Sequence, residues 1–217
     1  MSALTPVSIE IVSDIVCPWC YIGTAHLEAA LRARPEITAT VRYLPFLLDP
    51  ATPDAGADLR ARLKAKYGGD PEAMFARVES VGRAAGLTLD FRKVRRACAT
   101  VRAHTLLVHA EARGTQRALA HALFAAYFTE GRDVGDVSVL VSIAAEHGFA
   151  EDECRALVTD ASALQATRDA AEGLRREGIT GVPFFVFDEK LAMSGAQPVA
   201  TMLEALDRCA AEAGGAG

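Results

Sequence analysis

The sequence predicts a mixed α/β fold in which a small β-α-β and α-β-β-α unit is interrupted by an all-helical subdomain. Three observations predict it. Alternating apolar residues Val7, Ile9 and Ile11 run straight into Cys17-Pro18-Trp19-Cys20 and helical spacing, which puts two cysteines at a strand-to-helix junction. From about Asp58 to Asp160 apolar residues recur at helical spacing and no strand pattern interrupts them. Strand patterns then return in Phe184-Phe185-Val186-Phe187 and Leu191-Ala192-Met193. The division expected is 1–55 with 161–217 for the α/β unit and 56–160 for the insertion.

Taken in order, Val7 to Val12 is the first strand and 17–34 the first helix, stopped before Pro35. Residues 38–46 are rich in β-branched and aromatic types and form a second strand, closed by Pro45 and the turn signals Asp49-Pro50 and Pro53-Asp54. In the insertion, Asp70-Pro71 is an N-cap followed by a proline in the first helical position, and that helix stops at Gly86. A long helix is expected over Val94 to Arg113, another capped by Thr115 and ending before Gly131, a further one from Asp136 to Gly148, and a short one around Cys154. A helix from Ala163 to Glu177 leads back to Thr180-Gly181-Val182-Pro183. The continuous apolar run that follows predicts a strand buried on both faces. Asp188-Glu189 turns the chain, and Ser194-Gly195-Ala196-Gln197-Pro198 opens the last helix, with Val199, Met202, Leu206 and Cys209 inward. Without the insertion this order is the thioredoxin topology.

The 217 residues suit one compact domain carrying an insertion, and 51% hydrophobic content supplies a core. A net charge of −5 offers no general attraction for nucleic acid or an anionic membrane, and no run is long and apolar enough to span a bilayer. Met1 to Pro6 shows neither a basic nor an apolar leader segment, so a cytoplasmic protein is expected. In a reducing compartment a Cys-x-x-Cys pair is catalytic more often than structural. Cys98, Cys154 and Cys209 fall on apolar faces and read as buried, inert thiols.

Disulfide chemistry needs this spacing. Unpaired N–H groups and the positive end of the helix dipole favour thiolate at Cys17, the attacking species, while Cys20, one turn on beside Thr24 and Leu27, faces inward as the resolving thiol. Pro18 suits the first turn, where its missing N–H has no partner to lose. A zinc site would need a second ligand pair at metal spacing; the remaining cysteines stand alone, so no metal is expected. Asp14 either shapes the turn into the site or tunes the pair by its charge. Arg92, Lys93, Arg95, Arg96 and Arg102 read as a solvated helix face, and the five histidines stay unassigned.

Ser13-Asp14 to Cys17-Pro18-Trp19-Cys20-Tyr21, Leu123-Phe124 to Tyr127-Phe128 with Glu130-Gly131, Gly181-Val182-Pro183, and Ser194 to Pro198 together resemble the DsbA-type thioredoxin-fold superfamily, and within it the cytoplasmic FrnE-like branch of dithiol-disulfide isomerases. The resemblance implies a cis bond between Val182 and Pro183, with that loop and Gly181 against the cysteines and its backbone pairing with the substrate. It also implies no tightly bound cofactor, with glutathione or a thioredoxin-like protein as recycler. The oxidant implied is milder than periplasmic relatives, whose dipeptide between the cysteines contains histidine where this chain has Pro18-Trp19. Similar glutathione-dependent relatives, kappa-class transferases and 2-hydroxychromene-2-carboxylate isomerases, carry serine in place of Cys17. They leave open a transferase or isomerase of small aromatic molecules with glutathione as co-substrate, and a chaperone-like binding protein is a third reading. Monomer and homodimer are equally compatible with the sequence.

Overall fold

The computed structural model describes residues 6–214. The chain enters through β1 (Val7–Ser13), α1 (Pro18–Arg32) and β2 (Ala39–Pro45). It continues through β3 (Ala57–Asp58), α2 (Leu59–Tyr67), α3 (Pro71–Ala84), β4 (Arg96–Ala97), α4 (Val101–Glu111) and α5 (Gln116–Ala125). A π-turn (Ala126–Glu130), α6 (Val137–Ala145), α7 (Glu151–Thr159) and α8 (Ala161–Arg176) follow, then β5 (Phe184–Phe187), β6 (Leu191–Ser194) and α9 (Val199–Gly214). β1 is parallel to β2 and antiparallel to β5, giving the order β2-β1-β5-β6. This is the thioredoxin arrangement expected from the sequence.

The register follows from burial. Ile9 lies opposite Phe187 and Ile11 opposite Phe185, and all four are fully buried. β1 begins with Ser8 exposed between Val7 and Ile9 but ends with Val12 and Ser13 both buried, so its two faces close just before the cysteines. Asp188 and Glu189 adopt φ of 48° and 57°, the left-handed region a tight hairpin turn needs. The Asp188 carboxylate repays part of that strain by accepting the Ser8 N–H at 2.7 Å. Asp58, Asp70, Asp136 and Asp160 cap α2, α3, α6 and α8, each accepting a backbone N–H of its own first turn. One cluster of buried side chains runs from Ile9 and Ile11 through Leu106, Leu123 and Phe124 to Leu140, Phe185 and Met202, so sheet and insertion share a core.

Several expectations need correction. The helix expected from Val94 begins only at Val101, because Arg96 and Ala97 pair with Asp58 and Ala57 in a two-stranded ribbon. The insertion is therefore helical apart from this ribbon, and Cys98 sits in the connection rather than on a helical face. The basic residues before Val101 belong to loop and ribbon: Arg92 is paired with Asp90 and Arg96 with Asp133. β5 is not buried on both faces; Phe185 and Phe187 are sealed, whereas Phe184 and Val186 are half-buried. Thr115 holds the N-cap position of α5, yet its side chain caps nothing.

Candidate active site

Cys17 is the N-cap of α1 and Pro18 its first helical residue. The local chain closes this junction tightly. The Cys17 N–H donates to the Asp14 carbonyl at 2.9 Å, and the Cys17 carbonyl accepts from the Cys20 N–H at 3.1 Å and the Tyr21 N–H at 3.3 Å. The Cys17 sulfur therefore stands at the positive end of α1. Cys17 and Cys20 are free thiols, and both are buried: Cys17 is 3% exposed and Cys20 is fully enclosed. The Cys17 sulfur is recessed in a cleft, while Cys20, inward as expected from the sequence, is closed off from it. Burial pushes the Cys20 thiol well above the ordinary range, and its hydrogen bond with Cys17 adds to the rise. Of the two sulfurs, that of Cys17 borders the cleft and that of Cys20 does not.

Asp14 makes two side-chain contacts. Its Oδ2 accepts the Leu48 N–H at 2.7 Å, which ties the start of α1 to the chain leaving β2. Its Oδ1 lies 3.2 Å from Nε2 of His104 on α4, and both side chains are essentially sealed from solvent. Sequence reasoning missed His104, and no local signal could have found it, since its partner lies ninety positions away.

The opposite lip of the site is the Gly181-Val182-Pro183 loop. The Val182–Pro183 bond is cis. The Cys17 thiol is 3.8 Å from the Val182 carbonyl oxygen, so loop and cysteine are neighbours. Gly23 permits this approach: a Cβ there would stand 3.1 Å from Phe185 and 3.2 Å from Pro183. Pro183 itself is buried, and its carbonyl accepts the Gly195 N–H at 2.8 Å. Trp19 is half-buried and, with Pro18, Gly181 and Val182, forms the near side of the cleft.

The far side comes from the insertion. The cleft holds about 340 Å³ between Trp19 and Val182 on one side and Met74, Phe75, Val78 and Phe91 on the other, with Tyr127 and Phe128 at its back. Tyr127 and Phe128 both lie in the π-turn and both are buried. Tyr127 donates to the Arg96 carbonyl at 2.8 Å, and Tyr21, next to Cys20, stacks on Phe124 with ring centroids 5.1 Å apart. Behind α1, Glu28 receives both Arg117 and His121 from α5. Cys98, Cys154 and Cys209 are buried away from the pair, and burial raises all three thiols.

Comparison with known proteins agrees with this geometry. Residues 8–207 match the DSBA-like thioredoxin domain family. A crystal structure of the probable DsbA oxidoreductase SCO1869 from Streptomyces coelicolor is 35% identical, superposes with a TM-score of 0.84, and covers 95% of this chain and 91% of its own. The Bacillus subtilis (strain 168) protein YwbO is 24% identical over 187 residues, which is 84% of this chain and 88% of that one. The cytosolic disulfide reductase DsbM from Pseudomonas aeruginosa, solved with GSH, shares the fold at 20% identity and a TM-score of 0.62, covering 94% of this chain and 96% of its own. With the Cys-x-x-Cys pair at the head of α1 and Pro183 beside it, this chain belongs to the DSBA-like thioredoxin domain family.

Proposed function

We propose that this protein is a cytoplasmic thiol-disulfide oxidoreductase of the FrnE-like kind, in which Cys17 is the nucleophile and Cys20 the resolving thiol. The observation that carries the reading is the unequal placement of two free thiols, one on the floor of a cleft at a helix N-terminus and the other enclosed behind it. In the reducing direction the Cys17 thiolate attacks one sulfur of a substrate disulfide. A Cys17–S–S–R bond forms and the first RS⁻ departs. Cys20, on losing its proton, attacks the Cys17 sulfur, releases the second RS⁻ and leaves the Cys17–Cys20 disulfide. Two electrons pass to the substrate, and the two thiolates released take up two protons. A thiol reductant, glutathione or a thioredoxin-like protein, restores the dithiol by the same steps in reverse. Val182 and Pro183 hold the partner beside Cys17, Trp19 and Gly181 line its approach, and Asp14 holds the turn. No metal or tightly bound cofactor takes part.

Support comes from the family, from SCO1869 being described as a probable DsbA oxidoreductase and from DsbM being described as a cytosolic disulfide reductase. The test is to trap the intermediate. Cys20→Ser is expected to accumulate mixed disulfides on Cys17, and Cys17→Ser to accumulate none; equal trapping by both would refute the assignment. The direction of the reaction is read from the reduction potential of the pair against a glutathione series, followed by the emission of Trp19, the chain's only tryptophan. A value of about −120 to −180 mV assigns oxidation or isomerisation, and one near about −270 mV assigns reduction.

A further inference from the structure

We propose that the cleft over Cys17 selects low-molecular-weight disulfides with an uncharged aromatic or bulky aliphatic body, and that the helical insertion supplies the selectivity. The proposal rests on the disulfide-exchange reading of Cys17 and Cys20. It starts from access. Cys17 is 3% exposed, so a partner reaches its sulfur only by presenting a slim body or segment that enters the cleft. The space above the sulfur, about 340 Å³, falls in the range of small-molecule pockets, roughly 300–1,000 Å³.

The chemistry of the walls restricts the guest further. Among the described residues no charged side chain lines the cleft itself; Arg60 and Lys66 stand beside it, over the rings of Phe75 at 5.0 Å and Tyr67 at 5.4 Å. Phe75 and Phe91 stack with centroids 4.4 Å apart, and Phe91 meets Phe128 edge-on at 5.8 Å, so the far wall is a packed aromatic surface. The Tyr127 hydroxyl is already committed to the Arg96 carbonyl. A guest such as glutathione disulfide, which carries carboxylates and ammonium groups on each half, would give up hydration against a lining that holds no side-chain charge to pair with them. An aryl or branched alkyl body loses nothing and buries apolar area. Tyr67, at the C-terminal end of α2, is 59% exposed and lines the same cleft, which adds an accessible aromatic ring, with Lys66 Nζ 5.4 Å from its centroid.

The experiment uses the reduced full-length protein without any recycling system and follows its oxidation through Trp19. Bis(2-phenylethyl) disulfide and hydroxyethyl disulfide have similar alkyl thiolate leaving groups, so the ratio of their rates reports the cleft; glutathione disulfide is the charged comparison. The phenylethyl substrate is expected to react at least about tenfold faster than either, as for a few additional buried methylenes. Met74→Trp, which fills the far wall, is expected to reduce the phenylethyl-to-hydroxyethyl ratio about tenfold. Tyr67→Ala, at an exposed position with little bearing on folding, should reduce it about threefold. Equal rates for the three disulfides, or a fall that is the same for all three in both variants, overturns the proposed selectivity while a reversible Trp19 transition still upholds disulfide exchange. Absence of any reversible transition overturns both.

Discussion

The cysteine junction, residues 14–21, and the wall that faces it are built in different ways. In the junction every important distance is set by short stretches of chain: three positions separate the cysteines, one helical turn separates their exposures, and the Cys17 N–H reaches back only to Asp14. The wall gathers Leu59, Phe75, Phe91 and Phe128 from three helical segments and a loop, and it stands only because the insertion packs into the same core as the sheet. The contrast separates chemistry from access. In the proposed disulfide exchange, redox behaviour would belong to the junction and the shape of the admitted substrate to the wall.

This separation can be broken by experiment. The largest effect is expected from Leu140→Ala on α6, a fully buried residue of the insertion: stability should fall by about 2–5 kcal/mol in urea unfolding, with the reduction potential of the cysteine pair unchanged. A shifted potential would show that the two regions are coupled through the core. Asp14→Ala is expected to cost less, about 2–3 kcal/mol, by leaving the Leu48 N–H without its acceptor and removing the contact with His104. Unlike Leu140→Ala it should move the potential, because Asp14 forms the turn that holds Cys17. A double-mutant cycle with His104→Ala should return a coupling of about 0.5–3 kcal/mol, and a value of zero would mean that the insertion does not support the junction through this contact.

The smallest effect concerns the junction's rear support. Burial alone pushes the Glu28 carboxyl up, but hydrogen bonds from His121 and Arg117, together with the Arg117 charge, outweigh it and hold it down at about 2, against an ordinary 4.5. A depressed carboxyl contributes stability that is fully present above pH 4.5 and is lost as the pH falls toward 2. Allowing for solvent screening at this half-buried site, the contribution is about 1–2 kcal/mol. Glu28→Gln should remove that part of the acid dependence, which thermal unfolding between pH 5 and pH 2 would read. An unchanged acid profile would mean that the α1–α5 ion pair adds nothing to the support of the junction.

Much of this was legible in the sequence. The alternation of Val7, Ile9 and Ile11, the Asp70-Pro71 and Asp136 helix starts and the stop at Gly131 all encode their structure within a few residues. The cysteine pair was legible for the same reason, since strand, cap, proline and second thiol lie together. Misreadings arose where tertiary contacts prevailed over local pattern. The helical spacing from Val94 gave way to pairing with Ala57 and Asp58, and the apolar run of β5 ended half-covered because the helices packed beside it leave Phe184 and Val186 partly open. His104 carried no local sign of its role, because a buried polar contact between residues ninety positions apart leaves no periodicity to read.

By itself, then, the sequence determined most of the elements, the thioredoxin order and the place of Cys17 and Cys20 at the strand-to-helix junction, because hydrophobic period, capping and a four-residue motif act over one or two turns of chain. Only the tertiary structure decided that Cys17 is recessed, that Asp14 meets His104, and that an aromatic wall closes over the pair. Those features depend on where a long helical excursion returns to the sheet, and that is settled by packing the shared core rather than by any local preference of the chain.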